Sequence, residues 1–360
     1  MEVLNANLGY HIAKFDTNNM SRSAAMFCLR SGSIEEKFDY CPDTQIPSIP
    51  PGGAVVKICY AGACYTEDHM IGHHKNLTPG FEVAGIIHGV CPSVPNANLN
   101  IGDRVIVFPE EHHYTNTYYD YITVKDVNNL IVIPPEFPME VAAMLPCGGL
   151  TAYNAVMRAK PIVEYMLQNR NCVNILIVGA GGLGLWTIKL AKALISGDCN
   201  RVHITVADTS IDKLLLAQDH GCYDVIHWND ADHEQYLIER TLDVCRGGVD
   251  LVIDYVSSPR TFSRTLQVLN REGVVIVGGN CQFEISICLN TLAQNQQSIV
   301  GLHSGTVNQL RQLVELLTAQ KVTPPTYATY PITQASQVFK DLNECKILGR
   351  AVLQVSAVED

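Results

Sequence analysis

Residues 174–184 read NILIVGAGGLG. An unbroken apolar run of this length, closed by glycine, fits a strand buried on both faces of a sheet. Three of the glycines, Gly179, Gly181 and Gly184, are spaced G-x-G-x-x-G. In such a turn the first glycine makes the tight bend. The second lets the backbone approach a pyrophosphate at a helix N-terminus, and the third lets helix and strand pack closely. The pattern alone is weak, because many strand ends carry glycine. Here LWTIKLAKALI follows at once with helical spacing, which is the strand–turn–helix setting a dinucleotide site requires. Gly182 and Leu183 lie inside the same turn and belong to the expected cofactor-binding set.

The rhythm continues downstream. RVHITVAD is followed by SIDKLLLAQDHG, DVIHW by HEQYLIERTLDVC, and VDLVIDYV by PRTFSRTLQVL; GVVIVGG, SIVGLHSG and a helical TVNQLRQLVELLTAQ come after. Apolar strands alternating with helices give βαβ units and a doubly wound parallel sheet, so the fold class is α/β. The second strand ends in VAD, which puts Asp208 where a carboxylate can hold the adenosine ribose hydroxyls and repel a 2′-phosphate. NAD(H) is therefore expected over NADP(H). Lys213 lies close enough in sequence to reach the same ribose or a phosphate. Asp208 could equally cap the helix beginning near Ser210, and both roles can hold together. The segment from Gly184 to Asp208 is longer than usual, with ISGDCN as the expected insertion.

Upstream, AVVKICYAGAC, FEVAGIIHGV, GDRVIVFP and a Tyr/Thr-rich YYDYITV read as short strands separated by Pro, Gly and Asn, an antiparallel barrel or sandwich. The C-terminal stretch ATYPITQASQVFKDLNECKILGRAVLQV is expected to rejoin it. The expected division is residues 1–147 with 304–360 in one domain and 148–303 in the nucleotide-binding domain. The formal charge of −11 over 360 residues argues against a nucleic-acid partner, which needs a basic face. MEVLNANLGYHIAKF lacks the basic-then-apolar pattern of a signal peptide, and no apolar run reaches the length of a membrane span. Thirteen cysteines, with no C-x-x-C pair, fit reduced thiols in the cytosol.

Two of those cysteines sit in chemically rich settings. CYTEDH, residues 64–69, offers a thiol, a hydroxyl, two carboxylates and an imidazole, and Cys147 lies in LPCGGLTAY. Cysteine sulfur suits zinc, although a single buried cysteine is more often simple packing.

The whole layout resembles the medium-chain dehydrogenase/reductase superfamily, the zinc-type alcohol dehydrogenases and their zinc-free relatives. The resemblance rests on GACYTED, GDRV, LPCGGLTAY, GAGGLG and LGRAVL and spans nearly the full length. It implies a GroES-like β-rich catalytic domain beside a Rossmann domain, an active site in the cleft between them, and a homodimer. Cys64 and Cys147 match the first and third ligands of the family's catalytic zinc. The second is the histidine of G-H-E, and this chain reads GFE, so Phe81 stands where the histidine would be. Glu82, a near or direct ligand in polyol-type relatives, is then the third member of a set Cys64, Glu82, Cys147. His73, His74, His112 and His113 are further candidates for a replacement donor. Thr66 and His69 match the hydroxyl and the outer imidazole of the family's proton relay, and Arg350 matches an arginine near the pyrophosphate. The family's four-cysteine structural-zinc lobe has no counterpart, since FPEEHHYTNTYYD between Val107 and Tyr121 contains no cysteine.

Three readings follow. The first is an NAD(H)-dependent oxidoreductase acting on a small alcohol or carbonyl, with zinc in a changed ligand set. The second is a zinc-free reductase of enones or quinones, with Phe81 and Tyr65 lining an apolar pocket. The third is a nucleotide-binding module without catalysis. The Thr66–His69 pair favours an enzyme, because neither residue is needed to bind nucleotide.

Overall fold

The computed structural model describes residues 23–29, 38–64, 82–94, 99–109, 120–196, 200–279 and 283–356. The chain opens with an antiparallel pair, β1 (Ser23–Leu29) and β2 (Phe38–Gln45). Strands β3 (Ala54–Ala63), β4 (Val83–Val90), β5 (Arg104–Val107), β6 (Tyr121–Val124) and β7 (Leu130–Val132) follow. A short helix, α1 (Met139–Ala143), and a π-helical turn over Leu145–Gly149 lead into the long α2 (Leu150–Asn169).

The alternating part then runs β8 (Val173–Val178), α3 (Gly182–Ala191), β9 (Val202–Asp208), α4 (Ile211–Asp219), β10 (Asp224–His227), α5 (Glu234–Val244) and β11 (Val249–Asp254). It continues through α6 (Pro259–Val268), β12 (Leu269–Val277), α7 (Leu289–Gln294) and β13 (Ser298–Gly301). Helix α8 (Val307–Thr318), β14 (Tyr327–Pro331), α9 (Ala335–Asn343) and β15 (Arg350–Gln354) close the described chain.

Strands β8 to β13 form one parallel sheet in the order β10-β9-β8-β11-β12-β13. The strand after β8 lies on one side of it and β11 on the other, so the chain reverses direction across the sheet at β8. That switch point opens a crevice at the carboxyl edge, directly beyond Val178. Period-two alternation explains the burial of both faces. Ile175 and Ile177 pack toward α2 and α3, whereas Leu176 and Val178 pack with Trp228, Leu237 and Phe262 beneath α5 and α6.

The second sheet has the order β14-β15-β3-β4-β5-β7, with β6 also pairing β3. Its pairs are antiparallel except β14 with β15. The tail therefore returns to the N-terminal strands, and its α9 supplies Val338 and Phe339 to their core. One continuous apolar cluster joins α1 and α2 to both sheets, from Cys59 and Ala84 on one side to Ile175 and Val206 on the other.

Candidate active-site crevice

Backbone geometry dominates the glycine turn. Gly179 has φ +103°, a left-handed conformation that side chains resist. A Cβ at Gly184 would fall 2.0 Å from the Gly179 carbonyl oxygen, so helix α3 touches the strand end only because that position is bare. Gly181, the N-cap of α3, is different: a Cβ there would meet nothing within 4 Å. The space in front of the helix is open, and no side chain caps it. Amides in the first turn of a helix have no intrahelical acceptor, so this mouth is suited to an anion.

Asp208 ends β9 beside this turn. Its Oδ2 accepts the Ala180 N–H at 2.7 Å and its Oδ1 accepts the Ser210 N–H at 2.9 Å. The carboxylate thus ties the glycine turn to the start of α4, while the cap of α4 is Ser210, whose Oγ accepts from Lys213 N. Lys213 is half-buried in the first turn of that helix. His227 at the end of β10 braces the same loop, its Nε2–H donating to the Thr209 carbonyl at 3.0 Å.

The second half of the site is assembled by sheet register. Ala351 pairs with Ala63 and Ala61 with Val83, so Arg350 comes opposite Cys64 while Glu82 comes opposite Gly62. The π-helical turn lays Cys147 and Gly148 over them. Glu82 is fully buried; Arg350 Nη2 donates to its Oε2, and the Gly148 N–H donates to its Oε1. Gly62 is bare for a reason, since a Cβ there would sit 2.1 Å from Glu82 Oε2.

Arg350 also donates to the Cys64 sulfur, and the Cys147 thiol hydrogen-bonds Cys64. That thiol contact, then burial, holds the Cys147 pKa well above its ordinary value. Burial pushes the Glu82 carboxyl up to about 7, against the opposing pull of Arg350. The Arg350 stem runs along α3: a Cβ at Gly182 would lie 2.2 Å from its Cδ. Its Nε is buried with no hydrogen-bond partner. A buried cation with one unused donor at the mouth of the nucleotide helix joins the two halves of the site.

Several expected residues are thus brought together: Cys64, Glu82, Cys147 and Arg350 in one cluster, with Gly179, Gly181, Gly182, Leu183, Gly184, Asp208 and Lys213 around the crevice. Thr66, His69, Phe81, Tyr65 and the histidines at 73, 74, 112 and 113 lie outside the described residues. The expected ligand set Cys64, Glu82, Cys147 lies together in this cluster. Both Glu82 oxygens are engaged, and among the described residues no three His, Cys, Asp or Glu side chains are grouped to hold a metal.

Residues 50–162 match the model of the alcohol dehydrogenase GroES-like domain, and residues 182–319 match that of the zinc-binding dehydrogenase domain. The chain belongs to the medium-chain dehydrogenase/reductase superfamily. It is an oxidoreductase of that type. An NAD-dependent alcohol dehydrogenase of Sulfurisphaera tokodaii is 27% identical over 349 residues, covering 86% of this chain and 95% of the relative. An alcohol dehydrogenase of Schizosaccharomyces pombe is 26% identical over 367 residues, covering 92% and 97%. Benzyl alcohol dehydrogenase from Acinetobacter calcoaceticus shares the fold with a TM-score of 0.79 at 18% identity, covering 93% of this chain and all of that one. Acetophenone reductase from Geotrichum candidum, solved in complex with NAD, gives 0.73 at 21% identity, covering 92% and 97%.

Sequence reasoning passed over the stretch after β11. Tyr255 N donates to the Val178 carbonyl, and Val256 Cγ2 lies 3.3 Å from where a Gly179 Cβ would be. These residues form the wall of the crevice facing the glycine turn. The available signal was the position of DYV at the carboxyl end of a central parallel strand, where ligands gather in folds of this kind.

Proposed function

We propose that this chain binds NAD(H) in the crevice and moves a hydride between the nicotinamide and a small alcohol or carbonyl substrate. The observation that carries the reading is the open, uncapped mouth of α3 at Gly181, flanked by the Asp208 carboxylate and by the spare Nε of Arg350. The residues present fit a dinucleotide. First-turn amides of α3 and Arg350 would hold the pyrophosphate, and Asp208, with Lys213 beside it, the adenosine ribose. When bound, the dinucleotide supplies the hydride acceptor or donor.

The rest is the work of side chains. Thr66 takes the alcohol proton and His69 passes it to solvent; Cys64 and Cys147 make the floor on which the reacting carbon rests. Cys64, Glu82 and Cys147 would hold a catalytic zinc, which would polarise the substrate oxygen. Phe81, standing where the family has a histidine ligand, favours a second reading, a metal-free reductase of activated C=C bonds in enones or quinones, where the site only positions substrate and cofactor.

A homodimer through the nucleotide-binding units belongs to the same proposal. Among the described strands β13 pairs only β12, and Phe283 and Leu289, on the segment leading to it, are 62% and 74% exposed. Residence in the cytosol is supported by nine cysteines that stand as free thiols, Cys59 and Cys64 in the core among them. No described helix is long and apolar enough to cross a membrane.

The test is isotopic. Incubation of the protein and NAD with carbinol-deuterated benzyl alcohol, or with a panel of other deuterated primary and secondary alcohols, should place deuterium at C4 of the reduced nicotinamide. Thr66→Val should slow that transfer by roughly a hundredfold or more. Transfer to enones alone, with none from any alcohol, would replace the first reading by the second.

A further inference from the structure

Helix α3 presents a structural problem. Three helices are fixed at their starts by side chains, with Ser210 capping α4, Ser258 and Thr261 forming a capping box on α6, and Thr306 and Gln309 one on α8, whereas α2, α5 and α7 have no side-chain cap. Helix α3 has no side-chain cap. A cap would consume the amides that an anion needs, so the turn bearing the binding groups must be held by something other than its own N-terminus.

A buried hydroxyl chain meets that need. Thr187 is fully buried one turn into α3, and its Oγ1–H donates to the Leu183 carbonyl at 2.9 Å. That bond uses the only hydroxyl proton Thr187 has. The 2.6 Å contact between Thr187 Oγ1 and Tyr255 Oη must therefore have the tyrosine as donor. The chain runs one way, from Tyr255 through Thr187 to the Leu183 carbonyl in the first turn.

Tyr255 is itself pinned. Its backbone N–H extends the β11–β8 pairing at the Val178 carbonyl, 3.1 Å away. Its ring lies against Gly278, where a Cβ would approach to 3.0 Å of Cε1. The phenol thus carries the position of three strand ends to the helix that faces them.

We propose that Tyr255 is a positioning residue for the dinucleotide. Acting through Thr187, it holds the first turn of α3 at the height where the free amides meet a pyrophosphate. The inference rests on the cofactor reading above and deepens it. Neither hydroxyl touches the cofactor; both set where the backbone that touches it stands.

The experiment is NADH titration, by nicotinamide fluorescence, of the parent protein and of Tyr255→Phe, Thr187→Val, Thr187→Ser and the Tyr255→Phe/Thr187→Val double variant. Tyr255→Phe keeps the ring and Thr187→Ser keeps the hydroxyl, so each separates the hydrogen bond from the packing. The expected result is a Kd raised by about five- to tenfold in Tyr255→Phe and Thr187→Val. The double variant should bind no more weakly than the weaker single one, and Thr187→Ser should bind within about twofold of the parent. In steady state the KM for NAD should rise by the same factor, with a smaller change in kcat.

The inference is overturned if the two single variants bind like the parent, if their losses add in the double variant, or if Thr187→Ser is as weak as Thr187→Val. A parent that binds no NADH overturns the cofactor reading and this inference with it. A parent that binds tightly beside variants that match it overturns the inference alone.

Discussion

The glycine turn and the buried cluster beneath it use opposite materials. At Gly179–Gly184 the working groups are backbone amides, and the side chains matter by being absent. Around Glu82 the working groups are side chains delivered by three strands and a π-helical turn, from positions as far apart as Cys64 and Arg350. The first site needs one local segment to fold correctly. The second exists only after the antiparallel sheet has closed, because register alone brings Cys64, Glu82 and Arg350 side by side. Gly182 and Gly184 leave no room for a Cβ while Gly181 does, and the turn carries little buried charge; the cluster carries a buried ion pair.

This difference makes the cluster the place where a single substitution should cost most stability. Glu82→Ala leaves Arg350 buried without its carboxylate, and breaking a buried pair in this way costs about 3–5 kcal/mol. Urea unfolding measures it; a loss below about 1 kcal/mol would mean that the pair is solvated and the contrast misdrawn. The glycine turn predicts the reverse pattern at Gly181. Because a Cβ there meets nothing, Gly181→Ala should stay within about 1 kcal/mol of the parent in stability. It should nevertheless weaken NADH binding by roughly tenfold or more, since the methyl occupies the approach of the pyrophosphate. A variant that binds NADH normally would show that the ligand does not come close to that backbone.

A finer prediction concerns selectivity. Asp208→Ser removes the carboxylate that would repel a 2′-phosphate, and the preference for NADH over NADPH should fall by about tenfold in paired titrations. Because Asp208 also accepts the Ala180 N–H, some loss of affinity for both dinucleotides is expected alongside.

The smallest effect lies where the two sheets are stitched together. His220, at the end of α4, accepts the Thr326 N–H at Nε2 and donates from Nδ1 to the Leu216 carbonyl, so the neutral ring is the one that fits. Burial lowers its pKa below the ordinary value; Lys189 lowers it further, while the Leu216 bond and Asp219 oppose. The stability this contact gives is present above the unfolded histidine pKa of about 6.5 and is lost as pH falls through the lower folded value. About 1 kcal/mol should disappear in that window. His220→Leu should show a flatter stability curve there, and an unchanged slope would remove His220 from the account.

Legibility in the sequence followed the same division. The parallel sheet, its helices and the glycine turn could be read because each is specified within a dozen residues by apolar periodicity and bare positions. The return of the tail to the N-terminal sheet was readable from the break in strand–helix alternation after residue 320, though not the strand it would pair with. Cys64, Glu82, Cys147 and Arg350 could be named from their motifs, but their partnership could not. That Glu82 is committed to Arg350 and the Gly148 amide depends on strand register, which no local pattern encodes. Tyr255 and Thr187 escaped notice for a related reason. Their hydrogen bond joins residues 68 positions apart, and neither carries a motif.

The central claim, that the crevice at Gly181 is a dinucleotide site tuned to NAD, is tested most directly by calorimetric titration of the purified chain with NADH and, separately, NADPH. The account predicts saturable binding of one NADH per chain and binding of NADPH weaker by about tenfold or more. Absence of heat and of saturation with both dinucleotides would contradict it.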